Sequence, residues 1–145
     1  MRDMRWSWLA ALAIAGCTSK PPQCITVDTS CAPSYVPTFH NIYTNTIQLS
    51  CGPTNSSCHS TSFHAGGMSF ADEATAYAAL LAPKSTIDPS RPRLVAGDPA
   101  CSLLVVRTDS PGEWYQMPQP PSQPIGSGER CAIIQWIGSG AGSGM

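Results

Sequence analysis

Apolar positions first cluster at the N-terminus. Trp6 to Gly16 (WSWLAALAIAG) carries no charge and follows Arg2 and Arg5. A basic start and an apolar run of about 7–15 residues predict an export signal over residues 1–16, too short for a bilayer, which takes roughly 20. Thr18 to Ser34 (TSKPPQCITVDTSCAPS) offers little to bury, so residues 17–34 read as a Pro/Ser/Thr-rich tether. After Pro37, TFHNIYTNTIQLS places Phe39, Ile42, Tyr43 and Ile47 at helical spacing. A polar, glycine-bearing loop (CGPTNSSCHSTSFHAGG) has no such period. Asp72 and Glu73 sit where acidic residues favour a helix start, and Tyr77, Leu80 and Leu81 supply its stripe before Pro83. Asp98-Pro99 predicts a third start, an N-cap aspartate followed by proline, for a helix bearing Leu103, Leu104 and Val106. Residues 108–126 hold five prolines and are irregular, whereas Gly128 to Ile137 aligns Ile133, Ile134 and Ile137 on one side. The pattern predicts an all-α domain over 35–138 with four short helices, then a flexible Gly/Ser-rich tail at 139–145.

Long loops between small helices change the picture. Loops beyond about 12–15 residues are usually functional or disordered, and four short helices make a thin core. Something else is expected to fill the middle. The 145 residues bear 8 basic and 9 acidic side chains, and loss of residues 1–16 removes Arg2, Asp3 and Arg5 to leave a net charge of −2. No basic stripe is available for phosphates, which excludes nucleic-acid binding as a working expectation. Seven cysteines in so short a chain point to an oxidising compartment, bound metal or covalent attachment.

The apolar run ends in Ile14-Ala15-Gly16-Cys17, which resembles the lipobox of bacterial lipoproteins. That resemblance implies cleavage before Cys17 and lipid on its sulfur, and several acyl chains on one residue exceed the single chain that holds only marginally. Thr18 stands where an aspartate would suggest inner-membrane retention, so the expected place is the outer membrane, facing the periplasm or exterior.

Cys58-His59 is the closing half of a haem-c attachment motif, in which the thiols add to porphyrin vinyl groups and the adjacent histidine ligates the iron. Around it the chain resembles small class I cytochromes c, especially the lipoprotein-borne domains of planctomycetes and myxobacteria. TFHNIYTNTIQLS, Cys58-His59, GGMSFADEATAYAALL, RLVAGDPACSLLVVR, Met117-Pro118 and IIQWIGSGA follow in that family's order, over roughly Pro37 to Ala141. The resemblance implies a small cytochrome c-like fold around a haem c (iron), Cys51 and Cys58 as thioether residues, and His59 and Met117 as axial ligands. It also implies a crossing of the first and last helices that brings Phe39 and Tyr43 near Ile133, Trp136 and Ile137. Trp114 and Tyr115 are available to pack a porphyrin face. The function implied is single-electron transfer at the cell envelope with redox partner proteins, not enzymatic turnover. Six residues rather than two separate Cys51 from Cys58, so the extra chain must loop out.

Other assignments compete. Cys51 and Cys58 can be drawn as a disulfide in a haem-free, disulfide-stapled lipoprotein acting as a structural or interaction module. Cys24 and Cys31, with the same gap, can close a small loop in the tether, and Cys101 and Cys131 are expected to clamp the third and fourth helices together. A zinc site from Cys51, Cys58, His59 and His64 is drawable. His64 is the rival distal ligand, His40 reads as surface, and Met68 reads as core. A haem-based peroxidase or sensor would need a labile sixth position.

Overall fold

The computed structural model describes residues 20–52, 58–82 and 89–143. The export signal at 1–16 and the anchor residue Cys17 lie outside the described residues. Among the described residues the chain is helical and contains no strand. The first predicted helix is one winding segment in three parts: α1 (Phe39–Ile42), a π-helical turn (Tyr43–Ile47) and α2 (Gln48–Ser50). Thr38, in extended backbone, caps it by accepting from the Asn41 amide at 3.3 Å. The wider turn brings Thr46 inward beside Ile47, where the Thr46 hydroxyl meets the Tyr35 phenol. A 3.6-residue reading of apolar positions does not see it, because Thr46 is polar.

Helix α3 (Glu73–Leu81) starts at Asp72, whose carboxylate accepts from the Thr75 amide at 2.8 Å. Its inner face is Ala76 and Leu80, while Leu81 of the expected stripe is exposed. Helix α4 (Leu103–Thr108) begins later than Asp98-Pro99 suggests. Asp98 accepts from the Cys101 amide at 3.1 Å, a single turn, but Ser102 is extended and its hydroxyl accepts from Val95 N and donates to Asp98 O. The side-chain bond at Asp98 is satisfied by a turn, so the aspartate and proline do not carry a helix further. Helix α5 (Ser127–Gly138) follows, with the Glu129 carboxylate accepting from Gly126 N at 2.8 Å.

These elements meet at Phe39, whose ring lies 4.9 Å from Tyr77 and 5.2 Å from Trp136. Ile42, Tyr43, Ile47, Phe70, Leu80, Val105, Ile133, Ile134 and Ile137 complete the buried cluster. Phe39 and Tyr43 thus pack in one core with Ile133, Trp136 and Ile137.

Both chain ends depart from the sequence reading. Residues 20–34 are no free tether. Ile25 and Val27 pack on the core, Ile25 N donates to Ala100 O at 3.0 Å, and Arg91 donates to the carbonyls of Pro21 and Gln23. Cys24 is bonded to Cys101 and Cys31 to Cys131. The four cysteines are paired as expected of them in number, but not as Cys24 with Cys31 and Cys101 with Cys131. Cys101 lies in the turn before α4 and Cys131 inside α5, so each is bridged to the N-terminal strap instead of to the other. Nor is the tail free up to residue 143. Ala141 is buried, its carbonyl accepts from the Tyr77 phenol, and Gly142 O accepts from the Trp136 indole at 2.8 Å.

Candidate functional site

Between α4, the segment around Met68 and the proline-rich loop lies a half-open cleft of about 290 Å³, near the lower end of small-molecule sites at roughly 300–1,000 Å³. Cys51, His59 and Met117 all line it, although 66 positions separate the first from the last. Met68, Phe70, Leu80, Leu103 and Leu104 make its apolar wall, and Arg93, Arg107, Thr108 and Gln119 add polar groups.

His59 reaches this wall through a relay of contacts that begins in the first helical segment. The Tyr43 phenol donates to Phe70 O at 3.2 Å, Phe70 N donates to His59 O at 2.7 Å, and the two rings lie 4.6 Å apart. On the other side Ala65 N donates to Cys58 O at 2.8 Å and closes the loop. The histidine is only 8% exposed and its Nδ1 is enclosed without a hydrogen-bond partner. Burial lowers its pKa, the Arg93 cation adds to the effect, and the backbone at Ala65 and Met68 offsets part of it. The imidazole is therefore neutral at pH 7, as metal ligation requires.

Cys51 follows the end of α2, held by Cys51 N and Gly52 N donating to Ile47 O. Gly52 is required by close approach, since a Cβ there would stand 3.2 Å from Gln48 and Phe70 backbone atoms. Burial, and then the neighbouring Cys58, pushes the Cys51 thiol up to about 12. Neither Cys51 nor Cys58 is disulfide-bonded, so the drawable disulfide between them is not formed. Cys58 is exposed and does not line the cleft.

Met117 is placed by α4. Its amide donates to Arg107 O at 2.8 Å, and Arg107 in turn donates to Tyr115 O. Gln116, buried beside it, spans the loop by accepting from Gly112 N at 2.6 Å and donating to Pro118 O at 2.9 Å. Trp114 is 59% exposed and packs edge-on against Tyr115; neither lines the cleft. The expected aromatic face is supplied by Phe70 instead.

The remaining candidates separate. His64 is exposed, in left-handed backbone, and outside the cleft. His40 is at the surface, bonded to Glu73 at 2.9 Å. Met68 packs on the core and also faces the cleft. Among the described residues no three His, Cys, Asp or Glu side chains are grouped to hold a metal ion, which removes the zinc arrangement, since His64 stands apart. Arg93, Arg107 and Gln116 were invisible as site residues; the one cue was two arginines beside apolar runs in a chain poor in charge.

The group that the resemblance implies can be tested against this donor set. An enclosed neutral imidazole, a thioether and a protonated thiol share one apolar cleft, and these are soft or neutral donors suited to haem iron and a vinyl addition. The residues fit. No family model, curated protein or solved structure matches the chain.

Proposed function

We propose that the protein is a membrane-anchored monohaem c-type cytochrome that passes single electrons between redox partners of the cell envelope. The observation that carries this is the convergence of Cys51, His59 and Met117 on one cleft. In that cleft His59 would be the proximal ligand and Met117 the distal one, with Cys51 inside the cleft and Cys58, exposed outside it next to His59 in the chain, as the thioether residues. Haem, when bound, supplies the iron that alternates between ferrous and ferric states. The chain's own contribution is to keep the imidazole neutral, present a soft thioether that favours the ferrous state, and enclose both among apolar side chains. The pairing of Cys24, Cys31, Cys101 and Cys131 supports the reading, because it leaves Cys51 and Cys58 as thiols. His64, outside the cleft, is the weaker distal candidate. Lipidation at Cys17 would hold the domain at the outer membrane.

The two long-range disulfides are also what a haem-free, stapled lipoprotein module would have, and the same experiment decides. The chain is expressed for export in a host with cytochrome c maturation machinery, and the alkaline pyridine spectrum is recorded after acid–acetone extraction. Haem that resists extraction supports the cytochrome, and the α-band position separates one thioether from two. A colourless product beside a normally matured control cytochrome overturns it in favour of the module. Met117→Ala is expected to lower the reduction potential and change the visible spectrum; an unchanged spectrum and potential would reject Met117 as ligand.

A further inference from the structure

The N-terminal strap decides how far the domain can stand from an anchor at Cys17. A free tether over residues 17–34 would reach roughly 60 Å at full extension. The structure leaves far less. Arg91, 2% exposed, donates to Pro21 O at 3.2 Å and Gln23 O at 2.9 Å. Cys24 is bonded to Cys101, Ile25 N donates to Ala100 O at 3.0 Å, and Gln135 Nε2 donates to Cys31 O at 2.9 Å. Chain that is free to extend therefore ends at Pro21, four positions after Cys17, and reaches about 14 Å at most. The headgroup layer alone takes up about 5–7 Å of that. A domain of this size has a radius of gyration of about 14 Å, so its diameter exceeds its tether. Lys20, exposed, is the one charged residue between Cys17 and Asp28 and suits anionic headgroups. The segment that grips the strap also carries the cleft. Arg93 lines the cleft two positions after Arg91, and Leu103 lines it two positions after Cys101. Two residues span about 7 Å at most, so the cleft wall is fixed close to the strap.

We propose that the face formed by Lys20 to Cys24 is a bilayer-docking surface, held on the lipid headgroups by acylated Cys17 at a short reach that the grip of Arg91 and Cys101 sets. The inference rests on the acylation of Cys17 in the reading above and not on the haem. Its consequence is a restriction on partners. A redox protein meets the cleft at the membrane surface, being itself membrane-held or docked on the same leaflet, and the domain does not range across the compartment to a distant one.

The full chain, exported and processed in a lipoprotein-forming host, is placed in vesicles of phosphatidylethanolamine and phosphatidylglycerol whose headgroups carry an acceptor dye. A donor dye is attached at exposed position 23 through an azide-bearing amino acid, and energy transfer to the bilayer is recorded. The comparison is a chain with about twenty Gly/Ser residues inserted between Ser19 and Lys20, which adds roughly 25 Å of mean reach. Strong transfer is expected at native spacing, with a fall of about twofold or more on insertion. Weak transfer from the acylated native chain, or transfer that the insertion leaves unchanged, overturns the proposal. The insertion precedes every strap contact described above, and recovery of the Cys24–Cys101 peptide pair checks that the fold is kept. Mass spectrometry of the Cys17 peptide separates this failure from that of the reading beneath it. Acyl chains present with weak transfer leave the lipoprotein standing and this inference fallen, whereas an unacylated Cys17 removes both.

Discussion

His59 and Cys51 share a cleft and are both held uncharged by burial, which strips the proton from the imidazole and keeps it on the thiol. The histidine makes folding pH-dependent. An unfolded chain protonates this ring near 6.5, whereas the folded chain does so only at lower pH, so the haem-free protein loses stability as pH falls through that interval and keeps it above. Thermal melts at pH 7 and pH 5 should show this loss in the native chain and a smaller one in His59→Gln. The carboxylates of Asp28 and Asp72, held low by hydrogen bonds to Ser30 and Thr75, add stability that is present above about pH 4 and lost only as pH falls below it. The thiol predicts reactivity. At pH 8 a group titrating near 12 is about 0.01% thiolate, so alkylation of the haem-free chain should label exposed Cys58 first and Cys51 slowly, by peptide mass mapping. Equal labelling would contradict the burial of Cys51.

At the scale of elements, α5 shows packing overriding propensity. Gly128 sits in its first turn, where alanine would ordinarily gain about 1 kcal/mol of helix stability. Here a Cβ would come within 2.2 Å of Ser34 Oγ and 3.0 Å of Ser34 N. The hydroxyl can rotate away; the backbone amide, which donates to Gly128 O at 3.0 Å, cannot. Gly128→Ala is therefore expected to destabilise by about 1–3 kcal/mol, seen as a lower urea midpoint, and Ser34→Gly should restore only part of it. The core position Phe39, 1% exposed, should cost about 3–5 kcal/mol as alanine by the same measurement. That helix was legible because Phe39, Ile42, Tyr43 and Ile47 repeat at its period. Its π-helical turn was not, because one extra residue per turn leaves no mark in apolar spacing. Similarly, Asp98-Pro99 carries a true start signal that the chain spends on a turn.

At the scale of the molecule, the strap governs. Two disulfides join residues 77 and 100 positions apart, and closing such long loops restricts the unfolded chain strongly. Cys24→Ser/Cys101→Ser and Cys31→Ser/Cys131→Ser should each cost about 2–5 kcal/mol in denaturant unfolding. Proteolysis without reductant should recover the peptides of Cys24 with Cys101 and of Cys31 with Cys131; peptides joining Cys24 to Cys31 would contradict the fold described here.

By itself the amino-acid order determined what local physics can hold: helical character from apolar spacing, helix starts from capping residues, and the chemical kinds available at Cys51, Cys58, His59 and Met117. Partnership across the chain was decided only in three dimensions. Composition makes residues 20–34 look like linker and 139–143 like loose tail, because few side chains there are apolar; the disulfides, Ile25, Val27 and Ala141 nevertheless bind both ends to the core. The same holds at the cleft. Which sulfur and which imidazole line one cleft, and that Arg93 and Arg107 line it with them, depends on the packing of α4 against distant segments. Spacing along a chain fixes neighbours within a turn or two, while contacts across 66 or 100 positions follow from how the whole chain closes.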